Sequence, residues 1–403
     1  MAKIKFLFLS ILISLPHTLF PAEKPTFILI SFDGFRWDYT ERGLTPNLDF
    51  MAQNGVKASS LKPTYPSKTF PNHLSIVTGM HTENHGIIYN DINDPFSGKE
   101  YRIGSDPANR DSRWYQGEAI WETLRRQGVR TASYFWPGSE IEMAERHPDI
   151  FEHYDHNLPY ETRIDGVIEW LQLPVGTRPD FITLYFHETD SYGHGFGPAS
   201  PQINRAIARL DLMLGRLFTG LKKIDQFEQT NIVVVSDHGM TAIGEKRVVR
   251  VDKFLADEKY EVMGYGPMIG IRPVESRIEQ VYHNLKKQEF HFKVYKREDV
   301  PIWFHYSNHP FIPPLILIAE MGWTLTTEPV RNMGKGNHGY DNHHLDMHAV
   351  FHAMGPAFKK GYTTGTLNNI DIYPLICRIF EVMPRQNIDG RLDRIGFILK
   401  EEN

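Results

Sequence analysis

Three short apolar runs, each followed within a few residues by an aspartate, constrain this chain more than anything else in it. They are Phe27 to Phe32 (FILISF), Phe181 to Phe186 (FITLYF) and Ile232 to Val235 (IVVV), and their acids are Asp33, Asp190 and Asp237. Continuous apolar runs of this length read as strands buried on both faces of a parallel sheet. Helical patterns separate them: Pro46 to Gln53 closed by Gly55, Glu118 to Gln127 closed by Gly128, Tyr160 to Leu171, and Pro201 to Lys223. Strands alternating with helices predict an α/β fold, a mostly parallel sheet sandwiched by helices. Ligands of such sheets bind at the carboxyl ends of the strands. Three carboxylates delivered to that edge repel one another unless something positive sits among them, so the pattern predicts a metal centre.

The 403 residues would suit two or three domains at roughly 150 residues each. Lys3 and Lys5 ahead of the apolar run Phe6 to Leu15 form a signal-peptide pattern over residues 1–22. The chain is therefore expected to be exported, periplasmic or secreted, with N-terminal anchoring as the alternative if the segment is not cleaved. No stable membrane partner is expected otherwise. The lack of any Asn-x-Ser/Thr acceptor leans towards a bacterial periplasm. From about Val251 to Pro329 the texture changes to strand, helix (Glu275 to Lys287), strand (Phe290 to Tyr295) and a further apolar run, Pro314 to Ala319. This reads as an inserted α+β cap subdomain, residues 251–329, splitting one catalytic core of residues 23–250 and 330–403. With 44 Lys and Arg against 49 Asp and Glu, the net charge of −5 excludes the basic stripe that a nucleic-acid polymer would need. The single cysteine, Cys377, excludes an intramolecular disulfide and reads as a core thiol.

Asp190 and His194 stand four residues apart, a spacing that puts both side chains on one face of a helical turn. Asp237 and His238 leave a buried strand together and can fan onto one ion. His338 lies between Gly336 and Gly339, which let its backbone approach an ion closely. His343, His344, His348 and His352 follow and are read as surface or supporting residues. Thr69 precedes a proline-started helix, where it could be a plain N-cap. The same place, at free NH groups and the positive end of a helix dipole, also suits a phosphate group, and a hydroxyl on a metal there becomes a nucleophile.

The segments FDGFR, TYPSKTFPNH, GMHTENHGI with Asn90, FWPGSE, TDSYGHGFGP, VVSDHGM and GNHGYDN together resemble the nucleotide pyrophosphatase/phosphodiesterase family of the alkaline phosphatase superfamily, in a bacterial-type member. The resemblance runs from about Phe27 to Gly390 and implies an alkaline-phosphatase-like core with two zinc ions. One zinc would be held by Asp190, His194 and His338, the other by Asp33, Asp237, His238 and Thr69. Thr69 matches the family nucleophile. Asn90 matches the asparagine that, with the backbone NH of Phe70, steadies a phosphoryl oxygen. Two metals about 4 Å apart would clamp the phosphoryl group while a phosphothreonine forms and is hydrolysed. Two divalent ions among three aspartates leave one positive charge, which a phosphodiester anion balances. Lys68 is the cation next to the nucleophile.

The expected substrate is a small nucleotide or related phosphodiester. The resemblance places Phe70 and Tyr154 as the two faces of a nucleobase slot, with Trp136 and Tyr185 nearby, and stacking there would contribute about 1 to 3 kcal/mol. A choline-phosphodiester enzyme of the same family, acting on glycerophosphocholine or a lysophospholipid, is the alternative, since aromatic residues can also cage a quaternary ammonium. A sulfatase-like chemistry would need Cys or Ser in a C/S-x-P-x-R motif, where this chain has Thr69-Phe-Pro-Asn-His. A catalytically silent metal-binding surface protein would be marked by a missing ligand or nucleophile, and none is missing.

Overall fold

A computed structural model of the chain describes residues 24–255, 258–330 and 332–401. The expected signal peptide, residues 1–22, lies outside the described residues. The elements that position the site are, in chain order, β1 (Thr26–Phe32), α1 (Pro46–Asn54), β2 (Val56–Lys62), α2 (Thr69–Thr78), α3 (Ile120–Arg126), β3 (Thr131–Tyr134), β4 (Ile150–Glu152), α4 (Tyr160–Leu171), β5 (Phe181–Phe186), α5 (Glu188–Phe196), α6 (Pro201–Lys223) and β6 (Thr230–Val235). They are followed by β7 (Tyr260–Met263), β8 (Met268–Pro273), α7 (Ile278–Lys286), β9 (Phe292–Lys296), β10 (Leu315–Ala319), β11 (Phe351–Met354), β12 (Tyr362–Asn368) and α8 (Ile372–Ile379).

Eight strands form the main sheet in the order β12-β2-β11-β6-β1-β5-β3-β4. All neighbours are parallel except β11, which runs antiparallel to both β2 and β6. The three apolar runs are its centre, with β1 between β5 and β6. Alternate residues of β1 enter opposite cores. Phe27 and Leu29 pack with Leu74 and Val77 of α2, Trp121 of α3 and Leu375 of α8. Ile28, Ile30 and Phe32 pack with Leu48 of α1, Ile164 of α4 and Leu210 of α6. Helices therefore cover both faces, which is why these strands need no polar side. Register aligns Phe32 with Phe186 and Ser31 with Val235, so the chain leaves all three strands at one edge.

Helices α4 and α6 begin and end where the pattern predicts. Helix α3 starts two residues later than expected, because the Glu122 carboxylate accepts the Ala119 NH (3.0 Å) and sets the first turn there; Gly128, at φ +79°, closes it. Between 251 and 329 the chain forms an antiparallel sheet ordered β7-β8-β10-β9 with α7 against it. One face of that sheet, Ile269, Ile271, Leu315 and Leu317, packs with Val281 and Leu285 of α7. On the other, Met263, Met268, Ile316 and Ile318 join the main core. The helix expected from Glu275 opens as a 3-10 turn, and the strand expected from Phe290 begins at Phe292.

Two of the trailing histidines depart from their expected place. His343 and His344 are exposed, but His348 is buried between the Ser60 hydroxyl (2.8 Å) and the Asn342 carbonyl (3.1 Å). His352 lies inside β11, buried, with neither ring nitrogen hydrogen-bonded. No helix among the described residues is long and apolar enough to cross a membrane.

Candidate metal centre and substrate cavity

The strand ends deliver the acids as two groups. Asp190 and His194 stand one turn apart on α5, and His338 comes from the loop after the inserted sheet; Asp33, Asp237 and His238 follow β1 and β6. In the first group, His194 Nε2 and His338 Nε2 are 3.1 Å apart and lie 3.3 and 3.5 Å from Asp190 Oδ1. Tetrahedral zinc with ligands at about 2.0 to 2.1 Å separates neighbouring donors by roughly 3.3 Å, so this triangle has the size such an ion requires. In the second group, His238 Nε2 is 2.9 Å from Asp237 Oδ2, 3.5 Å from Asp33 Oδ1 and 3.3 Å from the Thr69 hydroxyl.

Hydrogen bonding leaves these atoms available to an ion. His194 Nδ1 donates to the Gly336 carbonyl (3.0 Å), His338 Nδ1 to that of Ser67 (2.8 Å) and His238 Nδ1 to that of Gly239 (2.9 Å). A carbonyl can only accept, so the proton sits on Nδ1 and each Nε2 presents a lone pair to the centre. Lone pairs would then oppose each other, or a carboxylate, at about hydrogen-bond distance. Asp33 Oδ1, Asp190 Oδ1 and Asp237 Oδ2, the oxygens in these two clusters, are also buried without any hydrogen bond. Their sister oxygens on Asp33 and Asp237 are satisfied: Tyr185 donates to Asp33 Oδ2 (2.6 Å), and Gly34 NH and Ser236 to Asp237 Oδ1 (3.2 and 3.1 Å). Burial, with Asp237 and Asp190 alongside, pushes the Asp33 carboxyl well above its usual range. Burial, with His238 stacked against it, pulls His338 well below. The donor set thus fits two divalent ions.

Thr69 is the first residue of α2, with Lys68 in the cap position, so it is not the N-cap that its place before Pro71 would allow. Beside it opens a cavity of about 390 Å³ lined by Asp33, Thr69, Asp190 and the aromatic residues Phe70, Phe135, Trp136, Tyr154 and Tyr185. Tyr154 is exposed on its loop, whereas Trp136 and Tyr185 are buried with their polar atoms engaged, the Trp136 indole NH on the His73 carbonyl (3.2 Å) and Tyr185 on Asp33. Both line the cavity while serving the core. No residue between 251 and 329 lines this cavity.

Two expected contacts differ. Lys68 does not line the cavity: it is buried against Gly339, donates to Asn337 Oδ1 (3.4 Å), and burial pulls its amine down to about 8. Asn90 Oδ1 accepts the Phe70 NH (3.2 Å), so the two groups expected to share a phosphoryl oxygen are bonded to each other. Sequence reasoning overlooked His73, whose Nε2 faces the Ser31 hydroxyl (2.8 Å) and whose Nδ1 lies 2.9 Å from the Thr69 carbonyl and 3.4 Å from Asp237 Oδ2. Its spacing of four from Thr69 on one helix was the available signal.

A family model for type I phosphodiesterase/nucleotide pyrophosphatase matches residues 27–341. Human ectonucleotide pyrophosphatase/phosphodiesterase family member 1 is 37% identical over 391 residues, 94% of this chain and 42% of that protein. Human family member 5 is 34% identical over 381 residues, 94% of this chain and 79% of that one. The chain thus spans less than half of the first relative and most of the second, both animal proteins. A solved structure of murine member 5, an inactive threonine-to-alanine variant in complex with AMP, superposes with a TM-score of 0.89 at 32% identity, over 94% of this chain and 100% of that one. The chain belongs to the type I phosphodiesterase/nucleotide pyrophosphatase family.

Proposed function

We propose that this protein is a two-zinc phosphodiesterase that hydrolyses nucleotide phosphodiester or phosphoanhydride bonds and releases nucleoside 5'-monophosphates through a covalent intermediate on Thr69. The observation that carries this reading is the position of the Thr69 hydroxyl, 3.3 Å from His238 Nε2 and open to a cavity with aromatic walls. Asp190, His194 and His338 would hold one zinc and Asp33, Asp237, His238 and Thr69 the other. Bound there, the metals supply Lewis-acid stabilisation of phosphoryl charge and an acidified hydroxyl. Thr69 Oγ1 forms the bond to phosphorus as the bond to the leaving oxygen breaks, and water then cleaves the threonine ester. Phe70 and Tyr154 hold the base. The solved relative's AMP complex and inactivating threonine change support the same assignment by likeness. Export through the N-terminal pattern belongs to this reading and rests on sequence.

A choline-type substrate would need an available carboxylate in the aromatic slot. Glu140, at the rim, already accepts from the Tyr154 NH (2.8 Å) and His153 (2.9 Å) and pairs with Arg110 (3.3 Å), which favours the nucleotide. The test compares p-nitrophenyl thymidine 5'-monophosphate with p-nitrophenyl phosphate and glycerophosphocholine, on wild type and Thr69→Ala. The nucleoside diester should be turned over fastest, with Thr69→Ala slower by roughly a thousandfold. Faster monoester or choline-ester cleavage, or an active Thr69→Ala, would overturn the assignment. Metal analysis should find two zinc ions per chain.

A further inference from the structure

Arg163, in the first turn of α4, is fully buried, and among the described residues no carboxylate lies within ion-pair distance of it. An arginine is almost never buried to this degree without a paired acid, because desolvating the charge is costly. Its donors go to backbone carbonyls instead. Nη1 donates to Tyr185 O (2.8 Å), Nη2 to Leu158 O (3.1 Å) and Asp155 O (3.3 Å), and Nε also to Leu158 O (3.3 Å). Those carbonyls belong to two places, the end of β5 and the irregular segment 155–158 that follows Tyr154. The guanidinium carbon also lies 4.9 Å from the centre of the Phe135 ring, and Phe135 meets Tyr154 edge-on at 5.2 Å.

We propose that Arg163 is a positioning residue for the base slot: its buried fork fastens segment 155–158 to the end of β5 and, through Phe135, fixes the Tyr154 ring at the cavity without touching substrate. This rests on the nucleotide reading of the cavity. Tyr154 is 45% exposed on a loop with no ladder of its own and is held at its NH by Glu140, so the segment that follows it needs a second anchor to keep the ring in place. A wall fixed before binding spares the ordering cost at the moment of binding. Lysine cannot replace the anchor, since its donors radiate from one point and cannot span both carbonyl groups as a planar fork does.

The experiment uses Arg163→Lys and Arg163→Met, each alone and with Tyr154→Ala. It reads hydrogen exchange of the 153–158 amides and KM for p-nitrophenyl thymidine 5'-monophosphate beside methyl p-nitrophenyl phosphate, which has no base. Exchange at 153–158 should rise, and KM for the nucleoside ester should rise about tenfold, on the scale of one lost stacking contact. The methyl ester should keep its kcat/KM within about twofold, and in the Tyr154→Ala background the Arg163 change should add less than about twofold. If Arg163→Met does not fold, the lysine variant carries the same comparison. Parallel loss on both esters, or an unchanged nucleoside KM where the wild type distinguishes the esters, would overturn the role of Arg163 alone. A wild type with equal KM for the two esters would sink the base slot itself, and the role with it, whatever the exchange shows.

Discussion

Asp33, Asp190 and Asp237 each keep one oxygen buried and unbonded, and three imidazoles aim lone pairs at those oxygens or at each other. Divalent ions would relieve that opposition. His352 is a different case, a buried ring with both nitrogens unbonded in the middle of β11 and no donor set around it. Burial, with Lys57 nearby, pulls its pKa down to about 3. The unfolded ring takes its proton near pH 6.5 and the folded ring does not, so stability from this site is complete above 6.5 and is lost as pH falls towards 3. Between pH 6.5 and 5 the loss is about 2 kcal/mol at a slope of about 1.4 kcal/mol per pH unit. Urea unfolding at pH 7.5 and 5.0 should show the wild type losing that much more than His352→Leu; an equal loss in both would refute the assignment. The metal-facing residues were legible in sequence because chemistry leaves few reasons to place acids and histidines after buried strands. His352 was not, since its neighbours gave no hint that β11 would be buried on both faces.

Elements set the site by tying loops together. Ser67 links the turn before α2 to the His338 loop three times: its hydroxyl donates to Tyr340 O (3.0 Å) and accepts the Gly339 NH (3.0 Å), and its carbonyl orients His338. Ser67→Ala keeps the carbonyl and removes the other two bonds. Outer-shell changes of this kind cost 10- to 100-fold in metal affinity, so zinc titration of the variant should give at least about tenfold weaker binding at one site, with the second unchanged. Equal affinity at both would show that the loop holds its place without the serine. Helix positions followed from apolar period, and α4 and α6 matched to the residue. The limits of α3 did not, because a carboxylate three residues into the helix decides where it starts. Nor could pattern show that Lys68 would fold back against Gly339 instead of facing the cavity, a choice made by packing between segments far apart in the chain.

Across the whole molecule, one of the two candidate metal groups, Asp190, His194 and His338, joins chain segments on either side of the inserted sheet, since His338 follows it and the other two precede it. Cys377, the one thiol, is buried in α8 and burial pushes it up to about 12, so no disulfide supplies that link. Metal bound only by the folded state stabilises by about 2.7 kcal/mol at a hundredfold excess over its dissociation constant. Removing metal with a chelator should therefore abolish diesterase activity and lower the thermal midpoint by several degrees, and zinc should restore both; an unchanged midpoint with zinc demonstrably removed would deny the ions a structural share. The α/β class was readable from strand and helix alternation, while the one antiparallel strand of the main sheet, β11, was not, since direction within a sheet leaves no local mark. The proposed two-step displacement at Thr69 is tested most directly by the configuration at phosphorus when a chiral nucleoside phosphorothioate diester is hydrolysed in oxygen-18 water. Attack by Thr69 and then by water, each in line, gives net retention; net inversion would mean that water attacks directly and that Thr69 never forms a bond to phosphorus.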